Sequence, residues 1–309
     1  MRKVGVVGTG RMGSDTATLL LGYGHDVVLL GTGEKSCEKG RASVVQNLDE
    51  LVSHHVISRP FAEGCLSRLK IVSDDAEMAD RDFIFEAVPE KIEVKTEVYR
   101  RLERVCKPEA PFISITSGIV ADDLAQGLEN KGRLIVAHSW NPPHLIPLVE
   151  VVRSRFTTEE TFEKTMALLL ELDRKIVVLK KGIPGFIGNR LMHAMYREAL
   201  YLVEQGVADP KDIDDTVLYS FGQRFSSVGL LEYYDSCGLD LQYDVQSYLL
   251  ADLCDAKGPQ KPLVECYKRG EFGPKTGKGI YDWSAKDFDD FRKRKHMPFF
   301  KYVNWERSP

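Results

Sequence analysis

The chain has 309 residues, of which 28% are charged and 43% hydrophobic, with a formal net charge of -4. That balance fits an ordinary globule and gives neither a basic patch for nucleic acid nor a cationic face for a membrane surface. No apolar run approaches the roughly 20 residues that a bilayer-spanning helix needs, so a cytoplasmic protein is expected.

Short, apolar, β-rich runs recur along the first part of the chain, at residues 4–7, 27–30, 83–88, 112–115, 134–137, 148–152 and 176–179. Runs of this kind suit strands buried on both faces. The first begins almost at once, so no secretory leader is expected. Helical periodicity separates several of them, at 11–23, 34–52, 92–106 and 159–172. Alternation of strand and helix predicts an α/β fold with a doubly wound parallel sheet. After Lys181 the segment KKGIPGF suits a linker, and the pattern turns helical at 186–205, 210–219, 239–253 and 261–269. The expected division is a Rossmann domain over 1–183 and an all-helical domain over 184–309. The tail from Lys286 mixes Lys and Arg with Phe, Tyr and Trp, which suits a segment packed on its own or a partner's domain. Cys37, Cys65, Cys106, Cys237, Cys254 and Cys266 are scattered without a CxxC pair. Free thiols in a reducing compartment are expected, with no disulfide framework and no metal site.

The first strand runs straight into GTGRMG, and Gly8, Gly10 and Gly13 hold the G-x-G-x-x-G spacing. The first glycine permits a tight turn, the second admits a pyrophosphate to the backbone, and the third lets helix and strand pack closely. The helix that follows offers free N–H groups and its positive dipole end. Gly8, Gly10, Arg11, Met12 and Gly13 are therefore candidate cofactor contacts. An NAD site usually carries Asp or Glu at the end of its second strand, where this chain has Gly31. Either Glu34 or loop backbone reaches the ribose hydroxyls of NAD, or Thr32, Lys35 and Ser36 hold the 2′-phosphate of NADP. NAD is expected, because no arginine is close by, and NADP stays open.

In AHSWNPPHLIPLVEVV, residues 137–152, His138 stands just after an apolar strand, where a doubly wound sheet places its ligand crevice. Asn141 follows as a candidate cofactor contact. Glu150 lies inside the next apolar run, and a carboxylate there needs a partner because an unpaired buried charge is costly. His138 is that candidate partner. A glutamate on one imidazole nitrogen fixes the tautomer and tunes the other nitrogen as a general acid or base.

Further segments resemble the L-3-hydroxyacyl-CoA dehydrogenase family over nearly the whole chain. FEAVPEKIEVK, residues 85–95, looks like the family's nicotinamide-ribose segment, with Glu90 and Lys95 at its cofactor-contacting acid and lysine. ITSG, residues 115–118, resembles its NTSS loop; Ser117 matches the active-site serine, although Ile115 replaces the usual Asn. His138 and Glu150 match its catalytic pair. PGFIGNR, residues 184–190, matches the start of its C-terminal domain, with Asn189 as active-site asparagine, and FGPKTGKGIYDW, residues 272–283, its closing motif. The resemblance implies a helical domain that dimerises, and Ser117, His138, Glu150 and Asn189 as the catalytic set. His138 takes the hydroxyl proton, while Ser117 and Asn189 hold the reacting oxygen.

The family's CoA-binding lysines have no counterpart in SVVQNLDELVSHHVISRPF, where Arg41 lies near the start and Arg59 near the end. His54 and His55 are adjacent and cannot both face one ligand. NPPHLIPLVE and SVGLLEYYDSCGLDL are closer to the lambda-crystallin and L-gulonate 3-dehydrogenase branch, whose substrates are small acids. Arg224 and Tyr233 are candidates for a carboxylate. The expected substrate is a small 3-hydroxy or related polar acid. The alternatives are a short-chain 3-hydroxyacyl-CoA such as 3-hydroxybutyryl-CoA, and a binding or structural protein that kept the fold.

Overall fold

The computed structural model describes residues 1–306, and the chain divides into two compact units: 1–187 with 294–306, and 188–293. The first unit runs β1 (Lys3–Val7), α1 (Arg11–Gly22), β2 (Asp26–Leu30), α2 (Glu34–Ser53), α3 (Arg59–Ser67), β3 (Leu69–Val72), β4 (Phe83–Glu86), α4 (Ile92–Glu103), β5 (Phe112–Ser114), α5 (Ala121–Ala125), β6 (Leu134–Ser139), β7 (Leu148–Arg153), α6 (Glu159–Glu171) and β8 (Lys175–Val178). The strands form one sheet in the order β3-β2-β1-β4-β5-β6-β7-β8. The central strands are largely apolar because both faces are covered, with polar residues such as Glu86, Ser114 and His138 at or near their C-terminal ends. One face carries a core with Leu20, Leu48 and Leu168, and the other a core with Tyr99, Leu102 and Leu124.

The sheet is not wholly parallel: β7 runs antiparallel to β6, while every other neighbouring pair is parallel. The link over 140–147 explains it, since a parallel crossover needs about a dozen residues or more and usually a helix. Two elements carry weak sequence signals. Of the four residues of β3 only Leu69 is buried, and α3 is a separate short helix whose N-cap Ser58 accepts from the Phe61 N–H.

The tail does not stay with the helical unit, as the sequence pattern suggests. Val303 and Trp305 are 6% exposed and join the core of the first unit. Trp305 sits where a Cβ on Gly22 would lie 2.3 Å from its ring, so the glycine in α1 makes its seat. Glu306 accepts from the Ser58 N–H and hydroxyl at 2.6 and 2.5 Å, and Phe300 lies 4.9 Å from the His54 ring.

The second unit is helical: α7 (Gly188–Glu204), α8 (Pro210–Leu218), α9 (Phe221–Phe225), α10 (Leu230–Ser236), α11 (Leu239–Leu249) and α12 (Lys261–Arg269). A last helix, α13 (Phe288–His296), precedes the tail. In the closing motif Tyr281 donates to Asp214 Oδ2 at 2.6 Å. Leu200, Cys254 and Cys266 are the buried apolar residues of this unit, whereas Leu231, Tyr219 and Tyr243 are 83%, 82% and 75% exposed. No helix among the described residues is long and apolar enough to cross a membrane.

Candidate active site

The strand order reverses between β1 and β4, the switch point at which an open α/β sheet receives its ligand. Gly8 follows β1 with φ at +105°, and a Cβ there would stand 2.7 Å from the Ala87 carbonyl oxygen after β4. A Cβ on Gly13 would lie 1.8 Å from the Gly8 carbonyl oxygen, so α1 seats against the turn only with glycine. Gly10 differs. Its φ of -68° and ψ of 179° suit any residue, and a Cβ would meet nothing within 4 Å. The protein's own packing does not ask for glycine there. An approaching pyrophosphate does, at a helix N-terminus with free N–H groups, and the loop thus fits a dinucleotide. Arg11 and Gly10 are exposed beside it and Met12 is half-buried.

The missing acid after β2 has a steric reason. A Cβ on Gly31 would lie 2.5 Å from Ser36 Oγ and 3.0 Å from Cys37 Sγ. Ser36 Oγ accepts from the Thr32 N–H at 2.8 Å and donates to the Gly33 carbonyl at 3.0 Å, which fixes the loop. Thr32, Glu34 and Lys35 stand exposed around it.

At the end of β4 lies a group the sequence motifs leave out. Glu86 is fully buried. It accepts from the Val88 N–H at 2.8 Å, Lys95 Nζ at 2.8 Å, Tyr99 OH at 2.6 Å and Ser114 Oγ at 2.7 Å. Burial, then the Glu86 charge, holds the Tyr99 hydroxyl well above the usual tyrosine range. Lys95 is 1% exposed, and its ammonium also meets Glu90 Oε2 at 3.2 Å and the Val88 carbonyl at 3.3 Å. Its three N–H donors therefore have three acceptors inside the protein. The resemblance implies that Lys95 contacts the cofactor; in the fold its ammonium ties Glu86 and Glu90 together. Glu90 is the half-exposed end of this chain of bonds, and its carboxylate accepts from the Thr116 hydroxyl and, at 3.0 Å, the Ser117 N–H. Burial alone pushes Glu90 up, but the Thr116 bond and the Lys95 charge outweigh it and hold the carboxyl below its usual range. Glu90 thereby fixes the Ser117 backbone, with Ser117 exposed.

His138 and Glu150 are partners in the antiparallel register of β6 and β7. His138 Nδ1 and Glu150 Oε2 are 2.9 Å apart, with the residues 4% and 1% exposed. Glu150 Oε1 accepts from the Ile187 N–H at 2.8 Å. An ionised Glu150 takes the Nδ1–H, so Nε2 is the nitrogen left for proton transfer. The Phe186 and Trp140 rings flank the imidazole at 5.3 and 6.2 Å. The Trp140 indole N–H is buried with no hydrogen-bond partner among the described residues, a donor beside His138 that no motif singles out. Asn141 is exposed just beyond it. Within the first unit the geometry joins His138 to Glu150 and Ser117 to Glu90, and Asn189 lies in the first turn of α7, in the helical unit.

Two other sequence candidates are already engaged. Arg59 pairs with Asp49 at 2.5 Å. Arg224 donates to Tyr233 OH at 2.7 Å and lies 4.5 Å from the centre of its ring, with no ion-pair partner among the described residues.

A family model described as 3-hydroxyacyl-CoA dehydrogenase, NAD binding domain, matches residues 3–182, and its C-terminal domain counterpart matches residues 185–283. A 5-formyl-3-hydroxy-2-methylpyridine 4-carboxylate 5-dehydrogenase of Mesorhizobium japonicum is 33% identical over 290 residues, spanning 93% of this chain and 92% of its own. A 3-hydroxybutyryl-CoA dehydrogenase of Bradyrhizobium diazoefficiens is 34% identical over 284 residues, spanning 92% and 96%. The crystal structure of a 5-formyl-3-hydroxy-2-methylpyridine 4-carboxylic acid 5-dehydrogenase, an NAD+ dependent dismutase, superimposes with a TM-score of 0.89 at 28% identity over 98% of both chains. With both domain models matched in order, the chain belongs to the 3-hydroxyacyl-CoA dehydrogenase family and is an NAD-dependent dehydrogenase acting on a CH–OH group.

Proposed function

We propose that this dehydrogenase interconverts the hydroxyl and oxo forms of a small 3-hydroxy or related polar acid, with His138 as the acid–base group. The buried His138–Glu150 pair, 2.9 Å apart, carries the reading. When bound, NAD supplies hydride acceptance at its nicotinamide ring. His138 Nε2 takes the hydroxyl proton, and the Glu150 carboxylate stabilises the imidazolium that forms. Ser117, held through its backbone by Glu90, donates to the substrate oxygen and limits its approach to Nε2. Asn189 enters as a second donor on the resemblance alone. Lys95 acts at one remove, by holding Glu86 and Glu90. NAD is the physiological cofactor in this reading; Lys35 and Thr32 leave room for NADP.

The choice of a free acid rests on α2. Past Gly40, Arg59 at the start of α3 is spent on Asp49, His54 packs on Phe300, and Arg41 is a poor match by itself for the phosphates of CoA. Arg224 offers a guanidinium for the substrate carboxylate. The relatives support both chemistries: one is named for a pyridine carboxylate and another for 3-hydroxybutyryl-CoA. Steady-state assays of free 3-hydroxy acids with NAD and NADP, beside acetoacetyl-CoA with NADH and NADPH, decide between them. The best free acid is expected to exceed the thioester by about tenfold or more in kcat/KM, roughly one charge-assisted contact. Efficient reduction of acetoacetyl-CoA would reverse the substrate assignment.

The helical unit buries few apolar side chains within one chain, which supports a homodimer formed through this unit. Light scattering is expected to read twice the 34.9 kDa of the chain; a single-chain mass at micromolar concentration removes the proposal. The six free thiols fit the reducing cytoplasm in which we place the enzyme.

A further inference from the structure

Among the described residues, three other than glycine hold a positive φ: His55 at +55°, Asp173 at +51° and Phe186 at +48°. Helix ends explain the first two. His55 follows α2 and Asp173 follows α6, each one residue past the C-cap, the usual place for a left-handed residue. Phe186 closes no helix. It stands in the turn between β8 and α7 and donates its N–H to the Ile183 carbonyl at 3.1 Å. For a bulky side chain this backbone is a costly outlier, which persists only where the surroundings hold it.

Those surroundings are the acid–base pair. The Phe186 ring is 1% exposed, joins a core with Val136 of β6 and Val152 of β7, and lies 5.3 Å from the His138 ring. The next N–H along the chain, that of Ile187, donates to Glu150 Oε1 at 2.8 Å, while Glu150 Oε2 faces His138 Nδ1 at 2.9 Å. Phe186 thus meets the pair twice, with its ring on the imidazole and with its following peptide on the carboxylate. The backbone angles of Phe186 set the direction of the Ile187 N–H. A change to negative φ swings that peptide and takes the N–H away from Oε1. The carboxylate then loses a bond that fixes its rotation and favours its ionised form.

We propose that Phe186 is a positioning residue for the proton transfer: its left-handed backbone, kept by the buried ring, aims the Ile187 N–H at Glu150 and so holds the carboxylate on His138. Its effect on rate, though not on the geometry of the pair, rests on His138 being the acid–base group.

Phe186→Ala and Phe186→Gly separate the backbone from the ring. Both lose the ring, and on packing alone the Ala variant fills more of the space. Glycine enters the left-handed region without steric cost, whereas alanine populates it about five- to thirtyfold less. The low-field proton resonance of His138 Nδ1–H, assigned by its loss in His138→Gln, reports the bond to Glu150 without substrate. Single-turnover oxidation of NADH by acetoacetate or acetoacetyl-CoA, whichever the wild type reduces, reports the chemical step; the resonance alone decides if neither is reduced. Phe186→Gly is expected to keep the resonance and to exceed Phe186→Ala by about fivefold or more in rate, with NADH affinity nearly equal in the two.

Phe186→Leu and Phe186→Val repeat the comparison with the space filled, should the smaller variants not fold. The Leu variant is expected to keep the resonance. The Val variant is expected to lose it, because a branched Cβ resists the left-handed region. A Phe186→Ala variant that equals or exceeds Phe186→Gly, a Val variant that matches the Leu variant, or a wild type without the resonance overturns the proposal. Unchanged turnover in His138→Gln, with the order of the Phe186 variants in the resonance intact, would instead overturn the acid–base assignment and leave the positioning of Glu150 standing.

Discussion

His138→Gln is expected to lower kcat by about 10²- to 10⁴-fold, the usual worth of a positioned acid–base group. The substitution is demanding because it is small. Glutamine can still donate to Glu150 and fill the space between Phe186 and Trp140. It cannot accept a proton near neutral pH, so only the proton transfer is removed. NAD affinity should stay nearly unchanged, because the glycine loop and Glu90 lie on other strand ends. Single-turnover absorbance of NADH separates the chemical step from binding, and a fluorescence titration reads the cofactor affinity. Turnover close to wild type would mean that another group moves the proton. Glu150→Gln should fall in the same direction by a smaller factor, since the imidazole keeps its place but loses the charge that stabilises its protonated form.

The two halves of the site differ in how far they can be read from sequence. The glycine loop is legible because each glycine answers a local demand of strand, turn and helix. Glu150 is legible because a charge inside LVEVV has nowhere to go except a partner. The same reasoning applies to Glu86 in FIFE, and it would have found the buried hub that supports Glu90. What it could not supply is the partner: Lys95 lies on α4 and Ser114 on β5, and only the closed sheet brings them to one carboxylate. The family's motif names Lys95 but not its burial, which the closed sheet alone reveals. The antiparallel β7 is a matter of link length rather than of strand pattern. The tail misleads by composition, since its charged residues hide two apolar anchors, Val303 and Trp305, that belong to the first unit's core.

Glu86→Ala is expected to destabilise the protein by about 3–5 kcal/mol, the range for leaving one member of a buried ion pair uncompensated. The residue left behind is Lys95, an ammonium 1% exposed, which keeps only the 3.2 Å contact to Glu90 and the 3.3 Å contact to the Val88 carbonyl. The Tyr99 and Ser114 hydroxyls and the Val88 N–H lose their acceptor at the same time. At about 2–4 °C per kcal/mol for a unit of this size, Tm falls by roughly 6–20 °C. Lys95→Met should cost less, because Glu86 retains three donors. The pair then makes a sharper test than either variant. If the two groups act as one buried unit, the Glu86→Ala, Lys95→Met double variant is more stable than Glu86→Ala alone, since it removes the stranded charge. Additive losses in a denaturant titration would mean that the ammonium finds solvent on its own. NAD affinity separates support from contact as well. Lys95→Met should weaken it only as far as Glu90 shifts, and Glu90→Gln should reproduce most of that loss without the fall in Tm, because Glu90 is the half-exposed end of the network and Lys95 its buried middle.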